Sequence, residues 1–244
     1  MNKKKVVTVI IAIVVLLGIA GWVLVPKIEL HMQVKKFFFM CETCEFCESG
    51  HFITDFTSRE EDTFAFSNEY YTVEIPEGYT QKYYENINTY VFESDESEKA
   101  YVIFNYTSDM TKTMMDPVYE SVYGISPYEL RTEFEEFSDV VPDSHYNIFK
   151  AAVLLDEEDY KFWDHDRQIA VMLLGDVKAK LHENGQIWLY ERDDIRAVIL
   201  KEGGKRRYSI DVMKSDDLNT AYGMYMRGAE KEDVWKLLNS FEFN

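Results

Sequence analysis

The chain opens with Met1-Asn2-Lys3-Lys4-Lys5, and residues 6–25 then carry no charge. Twenty residues at helical rise span about 30 Å, the thickness of a bilayer's hydrocarbon core. This predicts a transmembrane helix over 6–25 behind a basic tail, residues 1–5. Past Pro26, Ile28, Leu30, Met32 and Val34 alternate with polar positions. That pattern fits a strand or a continuation of the anchor helix, and residues 26–62 read as a membrane-proximal stalk ending in the polar run Thr57-Ser58-Arg59-Glu60-Glu61-Asp62.

From residue 63 the rhythm is that of a mixed domain. Tyr71, Val73 and Ile75 share one face of a predicted strand over 70–76, and Glu77-Gly78 turns the chain. Runs at 79–84, 89–93 and 100–107 continue as an antiparallel meander. Ser126-Pro127-Tyr128-Glu129 joins an N-cap, an N1 proline and a capping-box glutamate, which predicts a helix to Phe137. Asp143-Ser144 caps a second helix through Leu155, and Ile169, Met172, Leu173, Val177 and Leu181 form the stripe of a third. A hairpin follows, with 195–202 and 205–213 flanking the two-residue loop Gly203-Gly204. Pairing Glu202 with Lys205 sets Arg196 opposite Asp211 and gathers Ile195, Ala197, Ile199, Tyr208, Ile210 and Val212 on one face. Tyr222, Met224 and Met226 suggest one more strand, and 230–238 a last amphipathic helix. The expected class is α+β: an antiparallel sheet flanked by helices as an α/β/α sandwich, spanning 63–244 and preceded by the transmembrane helix. Because this core lies downstream of Cys47, residues 63–244 are expected to fold alone.

Topology signals come from the flanks of the anchor. A cleaved signal peptide has a shorter apolar core and a small-x-small site at its end, whereas Leu24-Val25-Pro26-Lys27 offers none. The expected state is a retained single-pass anchor. Lys3, Lys4 and Lys5 outweigh Lys27, Lys35 and Lys36 with the intervening Glu29, so the positive-inside rule puts the C-terminal domain outside the cytoplasm, on the cell membrane. All but three of the 26 Lys and Arg fall after residue 25, against 44 Asp and Glu, leaving −21 on residues 26–244. Such a field repels nucleic acid, whose binding requires phosphate neutralisation.

The opening Tyr-Thr-Val-Glu-Ile-Pro-Glu-Gly-Tyr, from Tyr71 to Tyr79, and a closing helix running into Ser240-Phe241-Glu242-Phe243 resemble the two ends of PsbP-like domains. That superfamily includes photosystem II extrinsic subunits, a Ran-binding nuclear-transport factor and membrane-tethered bacterial proteins. The resemblance covers residues 62–244 and implies a helix-flanked antiparallel sheet used as a binding platform. It carries over no functional residue.

Three clusters hold candidate chemistry. Cys41, Cys44 and Cys47 with His51 have the spacing of a ferredoxin run or a Cys3His zinc site, but Glu42, Glu45 and Glu48 have no role in either. Outside the cytoplasm three thiols favour one disulfide and one thiol able to bridge two chains as a homodimer, so no metal or other cofactor is expected. Asp159, Asp164, His165 and Asp166 could serve a metal-dependent hydrolase, yet neighbouring residues on a helix diverge by about 100°, and an acidic helix start accounts for them more simply. Seventeen tyrosines are the third signal. Tyr83, Tyr84, Tyr90, Tyr119, Tyr123 and Tyr128 exceed what alternating strand faces bury and suit a protein contact surface. The function expected is a membrane-tethered binding module for another extracytoplasmic or membrane protein. A hydrolase at the aspartate cluster and a thiol or metal sensor at the cysteines are the alternatives.

Overall fold

The structure is a computed structural model that describes residues 3–43, 49–51, 62–94, 98–109 and 131–244. Helix α1 (Lys3–Thr43) passes through Pro26 without ending, so residues 28–34 extend the helix and form no strand. The helix is long and apolar enough to cross a membrane, with a mean hydropathy of 2.0 over the most apolar 18 residues of Ile13–Lys36. Its far end joins the domain. Val34 and Phe38, four residues apart and so on one helix face, are both buried in the core. The core thus draws on residues upstream of Cys47.

Eleven strands among the described residues form two sheets. The larger contains β1 (Ser49–His51), β4 (Tyr79–Tyr84), β5 (Thr89–Ser94), β6 (Ala100–Asp109), β7 (Gly185–Arg192), β8 (Ile195–Glu202), β9 (Arg207–Lys214) and β10 (Asp217–Arg227), in the spatial order β1-β7-β8-β9-β10-β6-β5-β4. Every neighbouring pair is antiparallel except β1 with β7. The smaller sheet is β11 (Glu242–Phe243), β3 (Tyr71–Pro76) and β2 (Thr63–Ser67). The expected meander therefore holds for β4-β5-β6, but β3 leaves it. Tyr71, Val73 and Ile75 are fully buried between the sheets, and Gly78, at φ 83°, turns the chain from one sheet into the other.

The large sheet carries a different layer on each face. On one, α2 (Arg131–Phe137), α3 (His145–Leu154), α4 (His165–Asn184) and the end of α1 cover Ile187, Leu189, Val198, Met213 and Ala221. On the other, the small sheet and α5 (Lys231–Ser240) cover Trp188, Ala197, Ile199, Ile210, Val212 and Met224. That second layer is half strand, whereas helices alone were expected there. Local signals explain the helix starts: the Ser144 hydroxyl accepts from Asn147 N–H at 3.3 Å, and Glu230 and Asp233 close a capping box. The expected start of α2 at Ser126 lies outside the described residues. Lys178 of α4 donates to the carbonyls of Val153 and Leu155, closing the end of α3, and Arg192 donates to Asn239 O at the end of α5.

The hairpin keeps its expected faces and shifts its register by two. Ala197 pairs with Val212 and Ile199 with Ile210, so all the predicted apolar residues share the inner face. Lys205 N–H donates to Glu202 O within a loop that runs on through Arg206, which leaves Arg196 opposite Met213 and Asp211 opposite Val198. The predicted Arg196–Asp211 pair does not form. A shift of two preserves the period-2 facing while exchanging cross-strand partners.

Candidate functional site

At the end of the large sheet's order lies β4, whose side chains after Tyr79 are all exposed. Tyr83 is 49% and Tyr84 42% exposed. Being adjacent in a strand, they point to opposite faces. Tyr83 pairs across the ladder with half-buried Tyr90, their rings 4.6 Å apart, and its hydroxyl donates to Asn88 Oδ1 at 2.8 Å. Tyr84 pairs with buried Thr89, which pairs in turn with Phe104, whose ring lies 5.6 Å from that of exposed Tyr106. Exposed Ile87 occupies the connecting turn.

That turn is held by asparagines. Asn88 sits at φ 46°, a left-handed conformation asparagine tolerates, and its side-chain amide donates to Asn105 O at 2.6 Å. Asn105 returns a bond to Asn88 Oδ1 at 3.1 Å. The result is an exposed sheet edge that carries Tyr83 on one face and Tyr84 on the other, with Ile87 and Tyr106 nearby, on a backbone fixed by side-chain hydrogen bonds. Tyrosine there adds contact area with little rotamer entropy left to lose. Tyr119, Tyr123 and Tyr128 lie outside the described residues.

The aspartate cluster has local backbone partners. Asp159 Oδ2 accepts from Asp156 N–H at 2.9 Å in a capping box, and Asp164 Oδ1 accepts from Arg167 N–H at 3.1 Å at the start of α4. Asp166 is exposed on the first turn of that helix. These are the contacts of helix starts. Cys41 lies near the end of α1 and His51 in β1, while Cys44 and Cys47 lie outside the described residues. Among the described residues no group of three or more His, Cys, Asp or Glu is arranged to hold a metal ion.

One titratable group escaped the sequence reading because of the hairpin register. Without Arg196 opposite it, Asp211 faces Val198 on one side and Gly223 on the other, and burial pushes its carboxyl up to about 6. A Cβ on Gly223 would come 3.0 Å from the Phe104 ring, which would have to give by a few tenths of an ångström, and would make only ordinary contact with Asp211 Oδ1 at 3.9 Å. His145 behaves oppositely: it is buried against Phe149, Nε2 has no hydrogen-bond partner among the described residues, and burial lowers its pKa to about 4.

The two groups have opposed pH linkage. Between about pH 6 and 4 the folded state holds the Asp211 proton more tightly than the unfolded chain, so acid favours folding through this group. Over the same range the unfolded chain protonates its histidine while buried His145 stays neutral, so acid disfavours folding there. Asp211→Asn is therefore expected to raise stability above pH 6, by roughly 3 kcal/mol, and to have little effect near pH 4. Urea unfolding at pH 4.5 and 7.5 checks this; an equal change at both would deny the burial of the charge. No protein-family model matches the chain, and no curated protein matches it.

Proposed function

We propose that the protein is a single-pass, membrane-tethered binding module whose domain lies outside the cytoplasm, and that its contact surface is the tyrosine edge of the large sheet. The observation that carries this reading is the exposure of Tyr83, Tyr84, Ile87 and Tyr106 around the Asn88–Asn105 lock. Rigid, partly apolar, aromatic patches are what protein interfaces use at their centres. The partner is another extracytoplasmic or membrane protein, met at the membrane to which α1 confines this domain.

A PsbP-like architecture for residues 62–244 belongs to the same reading. It is supported by the pairing of the two segments that carry the resemblance: β11 lies antiparallel on β3, with Glu242 opposite Thr72, and Phe241 stacks on Tyr71 at 4.6 Å.

Protease added to intact cells or protoplasts tests the tether and its orientation. The expected result is loss of the domain with a membrane-held fragment left behind. Protection of the whole chain would reverse the orientation, and a soluble form beginning near residue 26 would replace the anchor with a cleaved signal.

A further inference from the structure

The segment from Glu157 to Asp164 runs along the end of α1 towards the apolar span. Glu157 pairs with Lys35 at 3.0 Å. One turn nearer the span, the His31 ring meets Tyr160 at 5.4 Å and Phe162 at 5.7 Å. Another turn nearer, Lys27 Nζ donates to Trp163 O at 3.5 Å and sits 5.6 Å from the indole centre. Contacts at 27, 31 and 35 fall on one helix face, so three successive turns hold the segment in a fixed direction. Trp163 is its tip.

Despite these contacts Trp163 is 72% exposed, and half-buried Phe162 packs edge-on against it at 4.7 Å. Lys27 follows the uncharged run by two residues, about 3 Å along the helix axis. The interfacial layer of a bilayer is about 5–7 Å thick on each side of the hydrocarbon core. If residues 6–25 fill the core, the Trp163 ring stands in that layer, on the same side as the 82% exposed Trp22. Acidic Glu157, Glu158 and Asp159 stand farther out, towards water.

We infer that Lys161, Phe162 and Trp163 form a second membrane contact, a lipid-interface anchor that rests the domain on the bilayer its own helix crosses. The ligand is the headgroup and upper acyl region of a phospholipid. Indole is suited to it, having an apolar ring for the acyl boundary and an N–H for the wet side, while Lys27 and Lys161 place ammonium groups at phosphate level. A helix alone leaves a tethered domain free to tilt; a second contact fixed to that helix limits the tilt and holds the tyrosine edge at one height and heading. The inference rests on the reading of α1 as a retained span.

The test is tryptophan fluorescence of the full chain in phosphatidylcholine vesicles, with and without lipids brominated near the headgroup end of the acyl chain. Trp188 and Trp235 pack in the layer on the far face of the large sheet, so Trp22 and Trp163 are the reporters. Flotation with the vesicles is scored first, and failure to float would overturn the anchor and the inference with it. In floating protein, Trp22→Phe is expected to retain bromine-dependent quenching, and Trp22→Phe with Trp163→Phe to lose it. Quenching that is present in the wild type, but equally absent from both variants, would keep the anchor and overturn the lipid contact.

Discussion

Alanine at Gly185 is expected to abolish the folded domain. Helix α4 ends at Asn184 and β7 begins at Gly185, so the chain reverses from helix to strand within one residue, at φ 139°. A Cβ there would lie 1.8 Å from Lys201 O and 2.7 Å from Gly203 N, both backbone atoms of the neighbouring strand and its loop. Relief would require parting the β7–β8 ladder, where Gly185 pairs with Glu202. The expected loss is at least about 4 kcal/mol, beyond the usual range for one substitution. Gly78→Ala is the control. Gly78 has φ 83° but nothing within 4 Å of a built Cβ, so only the left-handed penalty of roughly 1–2 kcal/mol applies. Urea midpoints of the two variants separate the effects; similar midpoints would mean that the ladder yields at Gly185.

Removing residues 1–62 is expected to cost the domain its cooperative unfolding, and starting the chain at Lys27 to restore it. The shorter chain loses Val34 and Phe38 from the helical core and β1 from the edge of β7. Val34 faces α4 near Val171 and Gly175, a surface that would open to water. Deleting a large buried side chain costs about 2–5 kcal/mol, and two such losses rival the roughly 5–15 kcal/mol that holds a domain together. Near-UV circular dichroism through a urea titration gives the answer. A sharp transition from a chain starting at Thr63 would show that α1 only leans on a domain complete without it.

The second expectation reverses the one drawn from sequence, and the reason is physical. Spacing of two at Ile28, Leu30, Met32 and Val34 imitates a strand, but the residues that touch the domain include Lys27, His31, Val34 and Phe38, with Lys35 beside Val34. Their steps of four, three and four are a helix stripe, hidden because two of its members are polar. The faces of β8 and β9 were legible from alternation, whereas their register depended on how many residues the Gly203-Gly204 loop takes up. That two-residue difference concealed the burial of Asp211 between Val198 and Gly223. Strand β7 gave no signal because Ile187, Trp188, Leu189 and Tyr190 are buried on both faces of a strand inside the sheet, so the alternation that marks a half-solvated strand is missing. The tyrosine edge was visible as composition at Tyr83, Tyr84 and Tyr90, but Ile87 and Tyr106 join it only through the turn and the β5–β6 pairing.

Site-specific photo-crosslinking in living cells tests the binding surface most directly. A benzophenone amino acid in place of Tyr84 is expected to give a discrete, light-dependent adduct with another extracytoplasmic or membrane protein. The same amino acid in place of Lys205, at the exposed tip of the β8–β9 hairpin, is expected to give none. Adducts from Lys205 and not from Tyr84, or equal labelling at both, would contradict the proposal that the tyrosine edge is the contact surface of this domain.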